Sequence, residues 1–426
     1  METAALHSIF LSTNGVVTDT RKIEKGSIFF SLKGANFNGN QFAEEALKKG
    51  ADYAVVDEKE YQTSKNIILV DNCLNALQEL ATFHRKYLAL PIIALTGSNG
   101  KTTSKELINA VLSKKHKTIA TKGNLNNHIG VPLTLLSMDK NTEIGIVEMG
   151  ANHQKEIENL SNIALPDYGY ITNFGKAHLE GFGGVEGVIK GKSELYTHLK
   201  NKEKTIFFNA DDRIQKEKLE GYANKIGFSQ FTGADYQIQL ESTDPFVNIL
   251  MDGNLIKSNL IGDYNFTNIA AAIAIGHYFK VAEEKITEAI EAYTPANNRS
   301  QILKHGKYNI VLDAYNANPS SMEVALKNFK NNPGNSKLVI VGDMFELGKD
   351  AKKEHQNIAN LVTDLSFNNA FLVGENFYNI DSSLKKFKTF EALKEHLKSH
   401  QPKEETILIK GSRGMALERV LDLLSL

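Results

Sequence analysis

The sequence predicts an α/β protein built of three consecutive domains. Three observations carry that expectation. Short apolar runs bounded by polar turns alternate with helical stretches along the chain, the pattern of parallel sheets covered on both faces. The chain has 426 residues, whereas one domain takes roughly 100–200. A turn-forming segment, Pro-Ala-Asn-Asn-Arg-Ser at 295–300, separates two alternating blocks.

In the first domain, 1–84, β-like runs at 27–32, 53–56 and 67–70 alternate with helical stretches at 41–49 and 74–87, giving a small α/β unit. The central domain, 85–297, opens on the apolar run 91–96, which ends in a glycine-rich turn followed by a helical pattern at 103–113. Further buried-strand candidates lie at 144–148, 168–172 and 205–209, and a helix at 265–279 closes the block. The third domain, 298–426, offers strands at 308–312, 337–341, 369–373 and 406–409 with helical patterns between them. That is a doubly wound, Rossmann-like unit.

Bulk composition excludes several classes. Net charge is -1 with 42% hydrophobic residues, so nothing supplies the basic field of a nucleic-acid binder. Cys73 is the single cysteine, which rules out an intrachain disulfide framework and a cysteine-rich zinc site. The N-terminus lacks a basic region followed by an apolar run, and no stretch reaches the ~18 apolar residues of a spanning helix. The expectation is a cytoplasmic protein with no membrane association, a monomer.

The strongest local signal is Thr96-Gly97-Ser98-Asn99-Gly100-Lys101-Thr102-Thr103, between a strand and a helix. Glycines there let successive N–H groups turn toward phosphate oxygens, and the helix N-terminus adds positive potential. Lys101 can reach the β- and γ-phosphates and the Thr102 hydroxyl can ligate Mg²⁺. The loop departs from the usual spacing, with Leu95 where a glycine stands in the common pattern. Further on, Glu148 ends a strand beside this loop. It reads either as a Mg²⁺ ligand or as an ordinary strand-end glutamate.

The shortened loop resembles that of the Mur ligases and the folylpolyglutamate synthetases, enzymes that use ATP to activate a carboxylate for attack by an amine. Other segments are similar to Mur ligases in particular. Asn124, Asn126 and Asn127 lie in Thr121-Lys-Gly-Asn-Leu-Asn-Asn-His-Ile-Gly-Val-Pro132, a stretch that implies contacts of Asn126 and Asn127 with the reacting groups. His178 follows a strand in Asn173-Phe-Gly-Lys-Ala-His178. A lone histidine is more often a surface residue, but the resemblance implies a second Mg²⁺ there. Lys190-Gly-Lys192 reads as the start of a helix, where two lysines sit badly against the dipole. The resemblance implies that Lys192 is carbamylated, which reverses its charge and supplies metal ligands.

Gly262-Asp-Tyr264-Asn265-Phe-Thr-Asn268 is similar to the family's adenine-side element, with Tyr264 in place of a histidine, and implies that Asn268 contacts adenine. Arg299 in the linker is expected to reach the ATP phosphates once the third domain closes. Asp313-Ala-Tyr315-Asn316-Ala-Asn318-Pro-Ser-Ser-Met322 resembles the form found in Mur ligases that add D-alanyl-D-alanine to a UDP-N-acetylmuramoyl-tripeptide, the last cytoplasmic step of peptidoglycan precursor synthesis. It implies that Asp313 holds the ribose, that Tyr315 packs on adenine, and that Asn316 and Asn318 line the acceptor side. Lys410, Ser412 and Arg413 are expected to bind a substrate carboxylate, with plain loop chemistry as the alternative. Thr20 and Arg21, then Gly34 and Asn38, resemble the family's UDP-binding elements, imperfectly, since Asn38-Gly-Asn40 replaces Asp-Gly-His. Alternatives are a Mur-type ligase adding one amino acid, a folylpolyglutamate synthetase, and a non-catalytic nucleotide-binding scaffold.

Overall fold

The computed structural model describes residues 1–295, 298–332, 334 and 336–425. Among the described residues five sheets organise it, of four, seven, three, six and two strands. In the first domain the strands Val16–Val17, Ile28–Phe30, Tyr53–Val56 and Ile67–Leu69 form one parallel sheet. The helix Cys73–Leu88 follows, started by Asn72, whose side chain accepts from the Asn75 N–H at 2.9 Å, a standard N-cap. This helix packs against both the first sheet's helix Thr3–Phe10 and the central helices Gly130–Leu136 and Glu156–Ala164. One apolar cluster therefore runs from Leu6, Phe10, Leu77 and Leu80 into Leu135, Ile157 and Leu160. Each such buried side chain contributes about 1.5–3 kcal/mol.

The central sheet has seven parallel strands in the order Tyr236–Gln237, Lys225–Ser229, Thr205–Asn209, Tyr168–Ile171, Ile92–Thr96, Ile144–Glu148, Thr118–Ala120. Ile92–Thr96, buried throughout, is flanked by Tyr168–Ile171 and Ile144–Glu148. Its carboxyl end is thus where connections diverge to both sides, the place such sheets bind ligands. The apolar helix Tyr264–Tyr278 covers the helix Lys101–Leu112. Between them in sequence, Gln239–Ser242, Phe246–Met251 and Asn254–Ile261 form an antiparallel sheet that the sequence reading did not foresee.

The third domain has six strands in the order Gln301–His305, Tyr308–Asp313, Thr406–Lys410, Lys337–Gly342, Asn369–Val373, Lys385–Phe387, all parallel except the first pair. Of the linker 295–300, residues 296 and 297 lie outside the described residues. One expectation is corrected here. Lys190 and Lys192 do not begin a helix, because the helix runs Val185–Asn201. Both lie beyond its first turn, where the dipole argument loses force.

Candidate active site

The loop after Ile92–Thr96 closes on itself before entering the helix Lys101–Leu112. Gly97 has φ +146° and a Cβ there would stand 1.9 Å from the Thr172 Oγ1, so no larger residue fits. Gly100, at φ +80°, packs on Asn268, whose Oδ1 would be 2.5 Å from an added Cβ. Neighbouring segments hold the loop's shape. The Ser98 hydroxyl donates to the Gly175 carbonyl at 2.8 Å, the Asn99 N–H donates to Asn173 Oδ1 at 3.1 Å, and the Asn173 amide donates back to the Asn99 carbonyl at 3.0 Å. Lys101 Nζ curls over its own loop, donating to the Gly97 and Ser98 carbonyls at 2.8 and 3.2 Å. Burial lowers the pKa of this ammonium, and the nearby Glu148 carboxylate opposes the shift. Thr102 is buried in the helix's first turn, and Thr103 follows it along the cleft wall.

Glu148 ends its strand fully inside the protein. One oxygen accepts from the Asn126 amide at 2.8 Å. The other is buried and has no hydrogen-bond partner among the described residues, a condition that ordinarily costs about 1–3 kcal/mol or more. Asn127 turns its oxygen to the N–H groups of Ile129 and Gly130, at 3.1 and 2.9 Å, and so starts the following helix. His178 takes φ +53° at the head of the short helix Leu179–Phe182, and its Nδ1 is hydrogen-bonded to Glu346 of the third domain. Lys192 is wholly buried, donating to the Ala151 carbonyl at 3.0 Å and lying 5.0 Å from the centre of the Phe182 ring. Burial, and then the charge of Lys101, push its pKa well below the ordinary 10.5. It stands one residue behind the cleft, whose wall at that point is Ala151.

The third domain supplies the opposite wall. Asp313, at the end of Tyr308–Asp313, accepts from Lys410 Nζ at 2.6 Å and from the Ser300 N–H at 3.1 Å. The Ser300 hydroxyl bonds to the Tyr264 hydroxyl at 2.6 Å, and burial, reinforced by Asp313, raises that phenol's pKa. The Arg299 guanidinium stacks 3.6 Å from the centre of the Tyr315 ring, and its buried Nε has no hydrogen-bond partner among the described residues. Asn318 caps the helix Pro319–Asn331 in a reciprocal capping box with Ser321 and donates across to Asn99 Oδ1 at 2.7 Å. Ser320 accepts from the Lys176 N–H at 2.8 Å. The two domains are thus closed on each other around a cleft of about 1030 Å³.

The structure gathers most of the residues singled out from sequence at this cleft. Ser98, Asn99, Gly100, Lys101, Thr102, Thr103, Asn126, Asn127, Glu148, His178, Asn268, Arg299, Asp313, Tyr315, Asn316, Asn318 and Lys410 line it, and Gly97 and Lys192 lie directly behind it. Several details differ from expectation. Lys410, Ser412 and Arg413 do not form one carboxylate cradle. Lys410 is neutralised by Asp313, Ser412 is buried and accepts from the Phe345 N–H at 3.0 Å, and the exposed Arg413 pairs with Glu418 at 3.2 Å. One face of Tyr315 is already covered by Arg299. Asn268 is bonded to Ser104 and Asn265, at 2.9 and 2.8 Å, and buttresses the phosphate loop. Thr20, Arg21, Gly34 and Asn38 lie outside the cleft: Arg21 is folded onto Asp19 at 2.8 Å, and Asn38 donates to Glu58 at 3.0 Å beside the short hairpin that contains Gly34.

Sequence reasoning missed Asp212, Ser300, Ser320 and Glu346. Asp212 had a usable signal, since an acidic residue follows the strand Thr205–Asn209 and caps the helix Arg213–Lys218. The others act through contacts between domains, which local spacing does not encode.

A phosphate loop at a sheet's switch point, faced by a second α/β domain whose linker arginine enters the same cleft, defines a nucleotide-dependent enzyme that closes on its substrates. Comparison with known proteins makes this specific. The Mur ligase family, catalytic domain, matches residues 12–85, the Mur ligase middle domain 95–276, and the Mur ligase, glutamate ligase domain, 298–413. The UDP-N-acetylmuramoyl-tripeptide–D-alanyl-D-alanine ligase of Bacillus subtilis is 34% identical over 96% of this chain and 92% of its own. That of Escherichia coli is 31% identical over 96% and 93%. Among solved structures, MurF from Acinetobacter baumannii superposes with a TM-score of 0.85 at 30% identity, covering 97% of both chains. MurF ligase from Thermotoga maritima in complex with ADP gives 0.84 at 26% identity, also covering 97% of both. The chain belongs to the Mur ligase family, and it is an ATP-dependent, amide-forming ligase.

Proposed function

We propose that this enzyme joins D-alanyl-D-alanine to a UDP-N-acetylmuramoyl-tripeptide. The observation that carries the reading is a pair of unsatisfied buried groups in one cleft. Among the described residues Glu148 Oε2 finds no hydrogen-bond donor and Arg299 Nε no acceptor, and both residues line the cleft with the phosphate loop. A nucleotide triphosphate with its Mg²⁺ satisfies both at once. The near full-length similarity to UDP-N-acetylmuramoyl-tripeptide–D-alanyl-D-alanine ligases, and the ADP complex of the Thermotoga maritima relative, support the same chemistry.

The tripeptide's terminal carboxylate attacks the γ-phosphorus of ATP and ADP departs, leaving an acyl phosphate. The free amine of D-alanyl-D-alanine then attacks the acyl carbon, phosphate leaves, and the amine's proton goes to solvent. Lys101 and Arg299 lower the repulsion between two anions brought together, and the docked third domain excludes water from the mixed anhydride. Thr102 and Glu148 would hold one Mg²⁺, which neutralises phosphate charge. Among the described residues no three His, Cys, Asp or Glu are gathered as a cage, which suits an ion that takes its remaining ligands from phosphates and water. His178 and a carbamate on Lys192 would hold a second. A buried, neutral lysine amine is the form that adds to the carbon of CO₂ and releases a proton.

The same reading places UDP recognition in domain 1–84, with Thr20, Arg21, Gly34 and Asn38, and carries the domain limits 85–297 and 298–426. It takes the enzyme as a cytoplasmic monomer; no helix among the described residues is long and apolar enough to cross a membrane. Phosphate release from ATP tests the substrate assignment. It is expected to require both the UDP-tripeptide and D-alanyl-D-alanine, and release with a single amino acid as acceptor would overturn it.

A further inference from the structure

We propose that Glu346 is a positioning residue: closure of the third domain brings it onto His178 and fixes which ring nitrogen faces a bound cation. This rests on the reading that His178 serves a Mg²⁺. The two residues are 168 positions apart and belong to different domains. Glu346 follows the strand Lys337–Gly342 of the third domain, and His178 follows Tyr168–Ile171 of the central one.

Their side chains bond through His178 Nδ1. A carboxylate only accepts, so Nδ1 carries the hydrogen, and in the neutral ring that leaves the lone pair on Nε2. Carboxylates that hold the far nitrogen of a metal-binding histidine orient the ring and make it a better ligand. The backbone adds a second point of contact, the Glu180 N–H donating to the Glu346 carbonyl at 3.2 Å. His178 and Glu346 both adopt left-handed backbone, φ +53° and +60°, which non-glycine residues keep only when their surroundings enforce it. The flanking pair Lys176–Glu354, at 3.1 Å, bridges the same two domains. The Glu346 side chain is 51% exposed, so the fold does not depend on its burial. The consequence is that the central domain's metal site is completed only in the closed molecule.

The full-length enzyme, with a non-hydrolysable ATP analogue and Mn²⁺ as the probe, provides the test by electron paramagnetic resonance titration. Imidazole nitrogen NMR reads the tautomer of His178 in parallel. His178→Ala is expected to weaken one Mn²⁺. Glu346→Ala is expected to weaken the same ion by roughly 10–100-fold and to release the ring from its single tautomer, with Glu346→Gln recovering part of the loss. The double variant should be no worse than His178→Ala. Wild-type Mn²⁺ affinity in Glu346→Ala, or an equal loss from that change in the His178→Ala background, overturns the positioning role while leaving the metal site standing. Wild-type affinity in His178→Ala removes His178 from the metal site and the proposal with it.

Discussion

Lys101 donates to carbonyls of its own loop, so under the proposed function its ammonium exchanges two backbone acceptors for phosphate oxygens when nucleotide binds. Lys101→Ala should therefore leave the fold intact and lower phosphate release by roughly 10²–10³-fold, as a coupled assay would measure. Lys192 gives a pH dependence with a definite sign. Its native pKa lies well below 10.5 because of burial, so between those two values the unfolded chain binds a proton that the native chain does not. Stability then rises with pH across that window, by at most about 1.4 kcal/mol per unit. Urea titrations in CO₂-free buffer between pH 7 and 9 should show this slope in the wild type and a flatter one in Lys192→Met. At this scale the sequence was informative wherever a motif is local. Gly97 and Lys101 sit in one strand–loop–helix unit, whose spacing placed them at the cleft, whereas Glu148, at the end of the adjacent strand, was left open between a metal ligand and an ordinary strand-end residue. The pairing of Lys410 could not be read locally, because its partner, Asp313, lies 97 residues away, on the neighbouring strand.

The helix Pro319–Asn331 joins local and long-range roles. Asn318 caps it and also reaches the phosphate loop. Asn318→Ala should cost about 0.5–2 kcal/mol through the lost cap and, separately, weaken ADP binding, read by unfolding and by calorimetric titration. The parallel strands were legible because continuous apolar runs such as 92–96 and 337–341 have no other good explanation. The antiparallel sheet was missed although its turn was written plainly. Asp252 and Gly253 both take positive φ, +48° and +84°, between strands that alternate buried and exposed residues. Asp-Gly between alternating runs is a strong hairpin signal.

Across the whole molecule, the first and central domains share an apolar cluster through the helix Cys73–Leu88. A chain begun at residue 90 would expose Leu135, Ile157 and Leu160 to water, and is expected to be insoluble or molten by near-ultraviolet circular dichroism. The third domain shares that apolar cluster through Val311, Met322 and Leu347, and at the linker its polar contacts converge on Ser300. The Ser300 N–H belongs to Asp313 on one side and its hydroxyl to Tyr264 on the other. At this pivot a swing outward can keep the first bond and surrender the second, while Asn318–Asn99, Lys176–Ser320 and His178–Glu346 part farther out along the rim, so the detent has one tooth at the pivot itself. Tyr264→Phe files that tooth away: the hinge would idle open more of the time, and scattering in solution would record a larger radius of gyration in a protein whose catalytic groups are all still in place.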